Sequence, residues 1–537
     1  MKEPWLKISR KNYHGMSKLI GLYFHDQSSS HIFSRSKEYK KKAEEFLKNR
    51  KNANNLVELA ADLDDPASAY ISNVLAIDLV FSKLLSRGDL SPQILSSKDS
   101  VEIGYRNWLK ENYDLCFSKL LQLVIKGQKH TLQVETLSVI FKLVAAEGKY
   151  PVDDGINPKQ YYFPIHRLQQ LYSTFLSSDR SIKKLLPKLE EMFSSFLDVV
   201  YFSWMALAGA VSAVKNPSEV AVKNILLLID QLPTAKTEEK ELEKASKENL
   251  DENLLCFIRG KKKFKADMDV LRTSVTKVWW TIKNWPHTPA TKLRLLTVLN
   301  ERILHNLEKP LTLADFLTDS LDDGGPVSVL ALQAIFVLIV KHNFDCSKIF
   351  KKLYALFEPN IFHTKYKARL FHLSNICFSS THLQENLVAS FIKRLARLSL
   401  TAPAADVIII AAFIGNLIIR HPTLKSLIHG SSDTSVGWDP FLAEEPDPES
   451  THAQESSLWE LKTLQSHILP NPAHSVKFVD QNLPSLEWDL GERLDGSYSE
   501  MFDKEVKRKG HYSTTFERPT GLSLPRGEQL LNYWSLS

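Results

Sequence analysis

The sequence predicts an all-α fold, an irregular α-solenoid of HEAT- or armadillo-like helical pairs with a partly extended C-terminal tail. Three observations point there. Apolar residues recur at helical spacing through most of the chain. Strand alternation is hard to find, and the turn pairs Asp154-Gly155 and Asp323-Gly324 are not flanked by alternating runs. In the second half, helix starts after Pro289, Pro326, His363 and Pro403 are spaced by 37, 37 and 40 residues. Two-helix units of about 40 residues are the mark of stacked repeats, in which each unit buries its apolar face on its neighbours.

Taken in order, residues 1–36 form a variable N-terminal extension. Lys2, Lys7, Arg10, Lys11 and Lys18 interrupt its apolar pieces, so no signal-peptide run is expected. Residues 37–233 form an N-terminal helical repeat region, with helices expected over 37–61, 68–86, 105–126, 131–146, 164–176 and 181–214. Residues 234–265 form a charged linker or loop, whose stretch TAKTEEKELEKASKENLDEN is almost without apolar side chains. Residues 266–430 form the C-terminal repeat region, where partner helices are expected over 311–321, 346–357 and 383–398. In the last of these, Leu383, Leu387, Val388, Phe391, Leu395 and Leu398 draw one apolar stripe. Lys393, Arg394 and Arg397 fall mostly off it, and Thr381 with Gln384 has capping-box spacing. Residues 431–537 form a tail holding eight of the 24 prolines, with one short capped helix expected over 457–468.

Composition narrows the chemistry. At 537 residues the chain is too long for one core, and its net charge of +6 is only mildly basic. Gly, at 19 residues, is scarce, which disfavours the glycine-rich loops that cradle nucleotides. Cys116, Cys256, Cys346 and Cys377 contain no CxxC pair, so neither a disulfide framework nor a cysteine-rich zinc module is expected, and the compartment is read as reducing. No GxxxxGK[ST], GxGxxG, HExxH, GxSxG or EF-hand loop occurs. His342 and Cys346 could share a helix face beside Asp345, but Asn343 and Phe344 are expected to break the helix between them. The expectation is a protein that is not an enzyme and has no cofactor, metal or catalytic residue. Three apolar stretches, 196–214, 327–340 and 407–419, are read as buried helices that a hydropathy scan would flag, and membrane association is not expected.

Three features are candidates for binding. The tail helix places Leu458, Leu461 and Leu464 along one face flanked by Trp459, with Ser457 and Glu460 as a second capping pair. In a polar, Pro-rich tail that stripe suits docking, either to a partner or onto the last repeat. Two basic tracts are candidate nuclear-import or phosphate-contacting segments. One comprises Arg259, Lys261, Lys262, Lys263 and Lys265 around Phe264, and the other Lys504, Lys507, Arg508 and Lys509. Lys277, Trp279, Trp280, Lys283 and Trp285 also interleave cations with rings, but Val278, Trp279 and Ile282 fall on one helix face, which favours packing over base stacking.

Beyond these features the second half resembles a known family. The run GGPVSVLALQAIFVLIV from Gly324 to Val340 continues into Lys341-His342-Asn343. It is followed by Lys352-Leu353-Tyr354, Phe362-His363, Lys365-Tyr366, Arg369-Leu370-Phe371, Ser380 and His382-Leu383. Lys393 to Leu398, Arg420-His421-Pro422, Asp439-Pro440-Phe441 and Glu455 to Leu461 complete the series. In this order the pieces are similar to the nucleolar complex protein four branch of the CCAAT-binding-factor family of ribosome-assembly proteins, and 266–430 would be its characteristic domain. One departure is Ile468, where the family usually has an aromatic residue. The resemblance implies HEAT-like helices and a non-enzymatic, nucleolar assembly factor of the small ribosomal subunit. It further implies a place in the small-subunit processome, bound to nucleolar protein fourteen and other processome proteins, with pre-ribosomal RNA contacted directly or through them.

Overall fold

The computed structural model describes residues 29–64, 71–90, 100–153, 161–233, 253–257, 264–344, 348–380, 383–429 and 439–507, and among these there is no β-strand. The chain divides into two compact units, Met1–Asp345 and Cys346–Ser537. The division falls inside the 266–430 region.

The first unit contains α1 (Ser29–Lys48), α2 (Ala53–Ala61), α3 (Ile71–Arg87), α4 (Ser100–Lys126), α5 (His130–Lys149), α6 (Ile165–Leu176) and α7 (Leu186–Ser195). It continues with α8 (Leu197–Ser212), α9 (Glu219–Gln231), α10 (Met268–Lys283), α11 (Pro289–Val298), α12 (Ala314–Leu321) and α13 (Gly325–His342). Most of these helices pack on the one two places along, while α12 packs on α13. One row runs α2–α4–α6–α8–α10, the other α1–α3–α5–α7–α9–α11–α13. Neighbour-only packing in two rows is how a solenoid buries helices that are each apolar on one side.

Most expected helices appear near their predicted limits, and the prolines explain several starts. Pro289 and Pro326 occupy the first turn of α11 and α13, where the missing amide hydrogen costs nothing, and Thr288 caps α11 through the Thr291 amide. The single helices expected over 37–61 and 181–214 are each two instead; in the first, extended Asn49 and the tight turn Arg50–Asn52 separate α1 from α2. Phe196 is extended, at φ −133° and ψ 113°, and separates α7 from α8. Leu197–Ser212 is apolar on all sides, so it showed no period from which a break could be read. α13 ends at His342 because Asn343 turns into the left-handed region at φ 50° and donates its amide hydrogen to the Leu338 carbonyl. Cys346 and Asp345 lie outside the described residues. Of the three apolar stretches, only α13 is long and apolar enough to cross a membrane among the described residues. Half of it is buried, and Leu197–Ser212 is too short.

The basic tract in the first unit is bracketed by two anchors on α8. Asp198, buried at the start of α8, accepts the Leu255 and Cys256 amides at 2.9 and 3.0 Å and the Tyr161 hydroxyl at 2.5 Å. On the other side, Phe264 packs among Tyr161, Tyr201 and Phe202, with ring centroids 5.3 to 5.8 Å away.

The second unit contains α14 (Ile349–Leu356), α15 (Lys367–Cys377), α16 (Glu385–Ser399) and α17 (Ala404–Arg420), followed by α18 (Trp459–Leu464), α19 (Pro470–Ser475), α20 (Leu490–Asp495) and α21 (Tyr498–Lys507). α16 and α17 form its core pair. The Pro-rich segment folds over them: α18 and the turns 448–450 and 453–455 lie on α16, while α19 and α20 lie on α17. Gly415 permits the second contact, since a Cβ there would overlap the Trp488 ring. That ring is held because Trp488 and Asn416 exchange two hydrogen bonds of 2.8 and 2.9 Å. Gly415→Ala is therefore expected to displace Trp488 at a cost of about 1–3 kcal/mol. Faster hydrogen exchange over 487–495, with α17 unchanged, is the expected readout.

Candidate docking site around Lys393

α16 is buried on two faces. Phe391 and Leu395 point into the helical core, whereas Lys393 lies off that stripe, as expected, and is nonetheless fully buried. Desolvating an ammonium costs several kcal/mol unless anions and acceptors replace its water. Two segments far along the chain supply them. Lys393 Nζ lies 2.7 Å from Glu460 Oε1 and 3.0 Å from Asp439 Oδ2, and it donates to the Ser457 carbonyl at 2.6 Å. Arg397, one turn on, donates to Asp439 Oδ2 at 2.7 Å. Its Nε also sits 2.8 Å from Glu460 Oε1, an ion pair too bent to be a hydrogen bond. Asp439 further accepts the Ser456 hydroxyl at 2.6 Å, the Trp459 indole N–H at 2.9 Å and the Phe441 amide at 3.1 Å. The Trp459 ring roofs the cluster, 4.8 Å from Arg397 Cζ and 5.4 Å from Lys393 Nζ.

The two carboxylates differ. Burial pushes the Asp439 carboxyl up, but hydrogen bonds from Ser456, Trp459, Lys393 and the Phe441 amide outweigh it and hold the group well below the ordinary range. Burial wins at Glu460, which lies above its ordinary value against the pull of Lys393 and Arg397. Asp439 has a folded-state pKa below its unfolded value of about 3.9. Its contribution is therefore present above that value and is lost as pH falls through the folded value. The stability gap between wild type and Asp439→Asn is expected to narrow below about pH 5 in urea titrations.

The proposed docking stripe divides in two. Leu458, Leu461 and Leu464 are buried within their own unit, and the Leu458 amide donates to the Leu427 carbonyl at 2.9 Å. Only Trp459 shows surface, at 39%. The helix is shorter than the expected 457–468, and Glu460 turns inward to Lys393 instead of capping it, because the buried ammonium competes for its carboxylate. Thr381 of the other capping pair lies outside the described residues, and Gln384 makes no side-chain cap. Trp459→Ala removes the roof and one donor to Asp439. A loss of about 2 kcal/mol is expected, below the range for a fully buried aromatic, and is measurable by denaturant unfolding.

Of the basic tracts, Lys265 is exposed beside the docked Phe264, and Lys507 is exposed on α21, where Lys504 also lies. Arg259, Lys261, Lys262, Lys263, Arg508 and Lys509 lie outside the described residues. Trp279 and Trp285 are buried, the latter donating to the Val214 carbonyl at 3.2 Å, while Trp280 is half-buried under Lys283. Among the described residues no group of three or more His, Cys, Asp or Glu could hold a metal ion. Burial pushes the Cys116 and Cys377 thiols up to about 12, away from the thiolate a nucleophile requires. Sequence reasoning missed Lys393, Asp439 and Ser456 as one cluster, although their fragments carry the family resemblance.

Stacked helical pairs in the first unit, and in the second a helical core pair covered by a folded Pro-rich segment, define an all-α, helical-repeat protein. Comparison with known proteins narrows the class. Residues 34–216 match the family model "Nucleolar complex protein 4-like, TPR repeats", and residues 328–475 match "CBF/Mak21 family". The chain is 32% identical over 478 residues to nucleolar complex protein 4 homolog B of Xenopus laevis, covering 86% of this chain and 89% of that protein. It is 32% identical to the homolog of Danio rerio, covering 87% and 90%, and 30% identical to that of Homo sapiens, covering 93% and 97%. The chain belongs to the nucleolar complex protein 4 family.

Proposed function

We propose that this protein is a non-enzymatic, nucleolar scaffold in ribosome biogenesis. It serves assembly of the small subunit as part of the small-subunit processome, bound to nucleolar protein fourteen, and supports 18S rRNA processing and pre-40S maturation and export. The observation that carries the reading is likeness to nucleolar complex protein 4 homologues along 86% of the chain. A long solenoid surface suits the work, since many weak contacts can be held in register without a reacting group. The test is affinity purification of the tagged full chain with identification of stably bound proteins and RNA. Nucleolar protein fourteen together with early small-subunit precursors is the expected recovery; their absence from a purification that yields intact bait would overturn the assignment. A second reading, direct binding of pre-ribosomal RNA through the tracts at 259–265 and 504–509, is favoured by the exposure of Lys265 and Lys507.

A further inference from the structure

Six basic residues lie on two adjoining connections of the first unit. Lys126, Lys129 and His130 stand at the turn between α4 and α5, and Arg180, Lys183 and Lys184 on the loop between α6 and α7; all six are exposed. Two hydrogen bonds join turn to loop. Arg180 Nη1 donates to the Lys126 carbonyl at 3.2 Å, and His130 Nε2 lies 3.0 Å from the Lys184 carbonyl. The loop is shaped from beneath by Asn224 of α9, which is fully buried. Its amide donates to the Phe175 and Arg180 carbonyls at 3.4 and 2.9 Å, and its oxygen accepts the Ile182 amide at 3.1 Å. Ser178 adds a fourth tie by accepting the Arg180 amide at 3.0 Å.

The result is a preorganised group of cations. Among the described residues no ion pair engages Lys126, Lys129, Arg180, Lys183 or Lys184; Lys188, just beyond, is taken by Glu191 at 2.8 Å, and Asp179 is the one acid in the loop. Like charges gathered on fixed backbone repel one another, and an external polyanion relieves that repulsion. No large exposed apolar side chain accompanies them between 126 and 130 or between 177 and 190. Tight protein interfaces draw most of their energy from buried Trp, Tyr and Arg anchors, and here the one such residue, Arg180, is exposed and already tied to the Lys126 carbonyl. Phosphate contacts need only charge and donors.

We propose that Lys126, Lys129, His130, Arg180, Lys183 and Lys184 form a binding site for the phosphate backbone of RNA, read without regard to sequence. The inference rests on the ribosome-assembly reading only in naming RNA as the polyanion. It adds a site separate from the two basic tracts. The test uses the full chain, a short mixed-sequence single-stranded RNA and fluorescence anisotropy across a salt series. Lys126→Gln, Lys129→Gln, Lys183→Gln and Lys184→Gln are combined, which leaves both turn-to-loop hydrogen bonds in place. Affinity is expected to fall about tenfold or more, with the salt slope shallower by about 0.7 per lost contact and the melting curve unchanged. A second variant, with Lys261, Lys262 and Lys263 changed to Gln, is expected to keep most of the binding.

Three results would overturn the proposal. One is a wild type that does not bind RNA at low salt, and another is a fourfold variant that binds with the wild-type slope. A polyglutamate chain that binds the wild type as tightly as RNA, and is weakened alike by the variant, would reassign the patch to an acidic protein. None of these bears on recovery of nucleolar protein fourteen, so failure here is distinguishable from failure of the scaffold assignment.

Discussion

Lys393→Met is expected to destabilise the second unit by about 3–5 kcal/mol, the range for breaking a buried ion pair from one side. Met fills the volume of the lysine stem, so the loss is not a cavity. What remains is Glu460, fully buried, with its Lys393 partner at 2.7 Å removed and the bent contact to Arg397 and its own backbone amide left. The Ser457 carbonyl loses its donor as well. Asp439 suffers less, because Arg397, Ser456, Trp459 and the Phe441 amide still reach it. A second change, Glu460→Leu, removes the stranded carboxylate and is expected to recover a large part of the loss, since replacing both members of a buried pair by apolar groups is often neutral. Denaturant unfolding and hydrogen exchange over 439–464 read both effects. A single variant within about 1 kcal/mol of wild type would show that water reaches the cluster and that Lys393 does not hold the cap.

The cluster also shows what a sequence can and cannot disclose. The core face of α16 was legible because Leu387, Val388, Phe391 and Leu395 repeat at helical spacing, a local property. Starts of α11, α13 and α17 were legible because Pro289, Pro326 and Pro403 suit the first turn or the position before it. The buried state of Lys393 was not, because its cause lies 67 residues away at Glu460. No local pattern marks a lysine that a later segment will cover. The break at Phe196 escaped for the opposite reason: Leu197–Ser212 is buried nearly all round, and a helix without a polar face gives periodicity nothing to count. Local spacing made Leu458, Leu461 and Leu464 legible as a docking stripe and left open what they dock on. They are buried in their own unit.

A comparable loss is expected in the first unit from Arg167→Met, and there the fork of the guanidinium matters as much as its charge. Arg167 of α6 is nearly buried and ties three helices together. Nε donates to Glu147 Oε2 of α5 at 2.9 Å, and Nη2 donates to Asp114 Oδ1 of α4 at 2.7 Å. The plane lies over Tyr113 and Phe117 at 4.8 and 4.7 Å from their ring centroids. Glu147 also accepts the Tyr113 hydroxyl at 2.9 Å and pairs with His166 at 3.3 Å. Burial pushes the Glu147 carboxyl up, yet His166 and Arg167 together hold it below its ordinary value. With Met in place of Arg167, burial acts with far less opposition, and a loss of about 3–5 kcal/mol follows. Arg167→Lys is expected to recover only part of it, because a point charge cannot reach both carboxylates and lie flat on two rings. The sign with pH follows from the lowered folded value. Glu147 contributes stability above its unfolded value of about 4.3, and that share is lost as pH falls through the folded value. Wild type and Arg167→Met should therefore converge as a series of unfolding curves is taken from neutral pH toward acid. Parallel curves across that range would mean that Arg167 acts through packing alone.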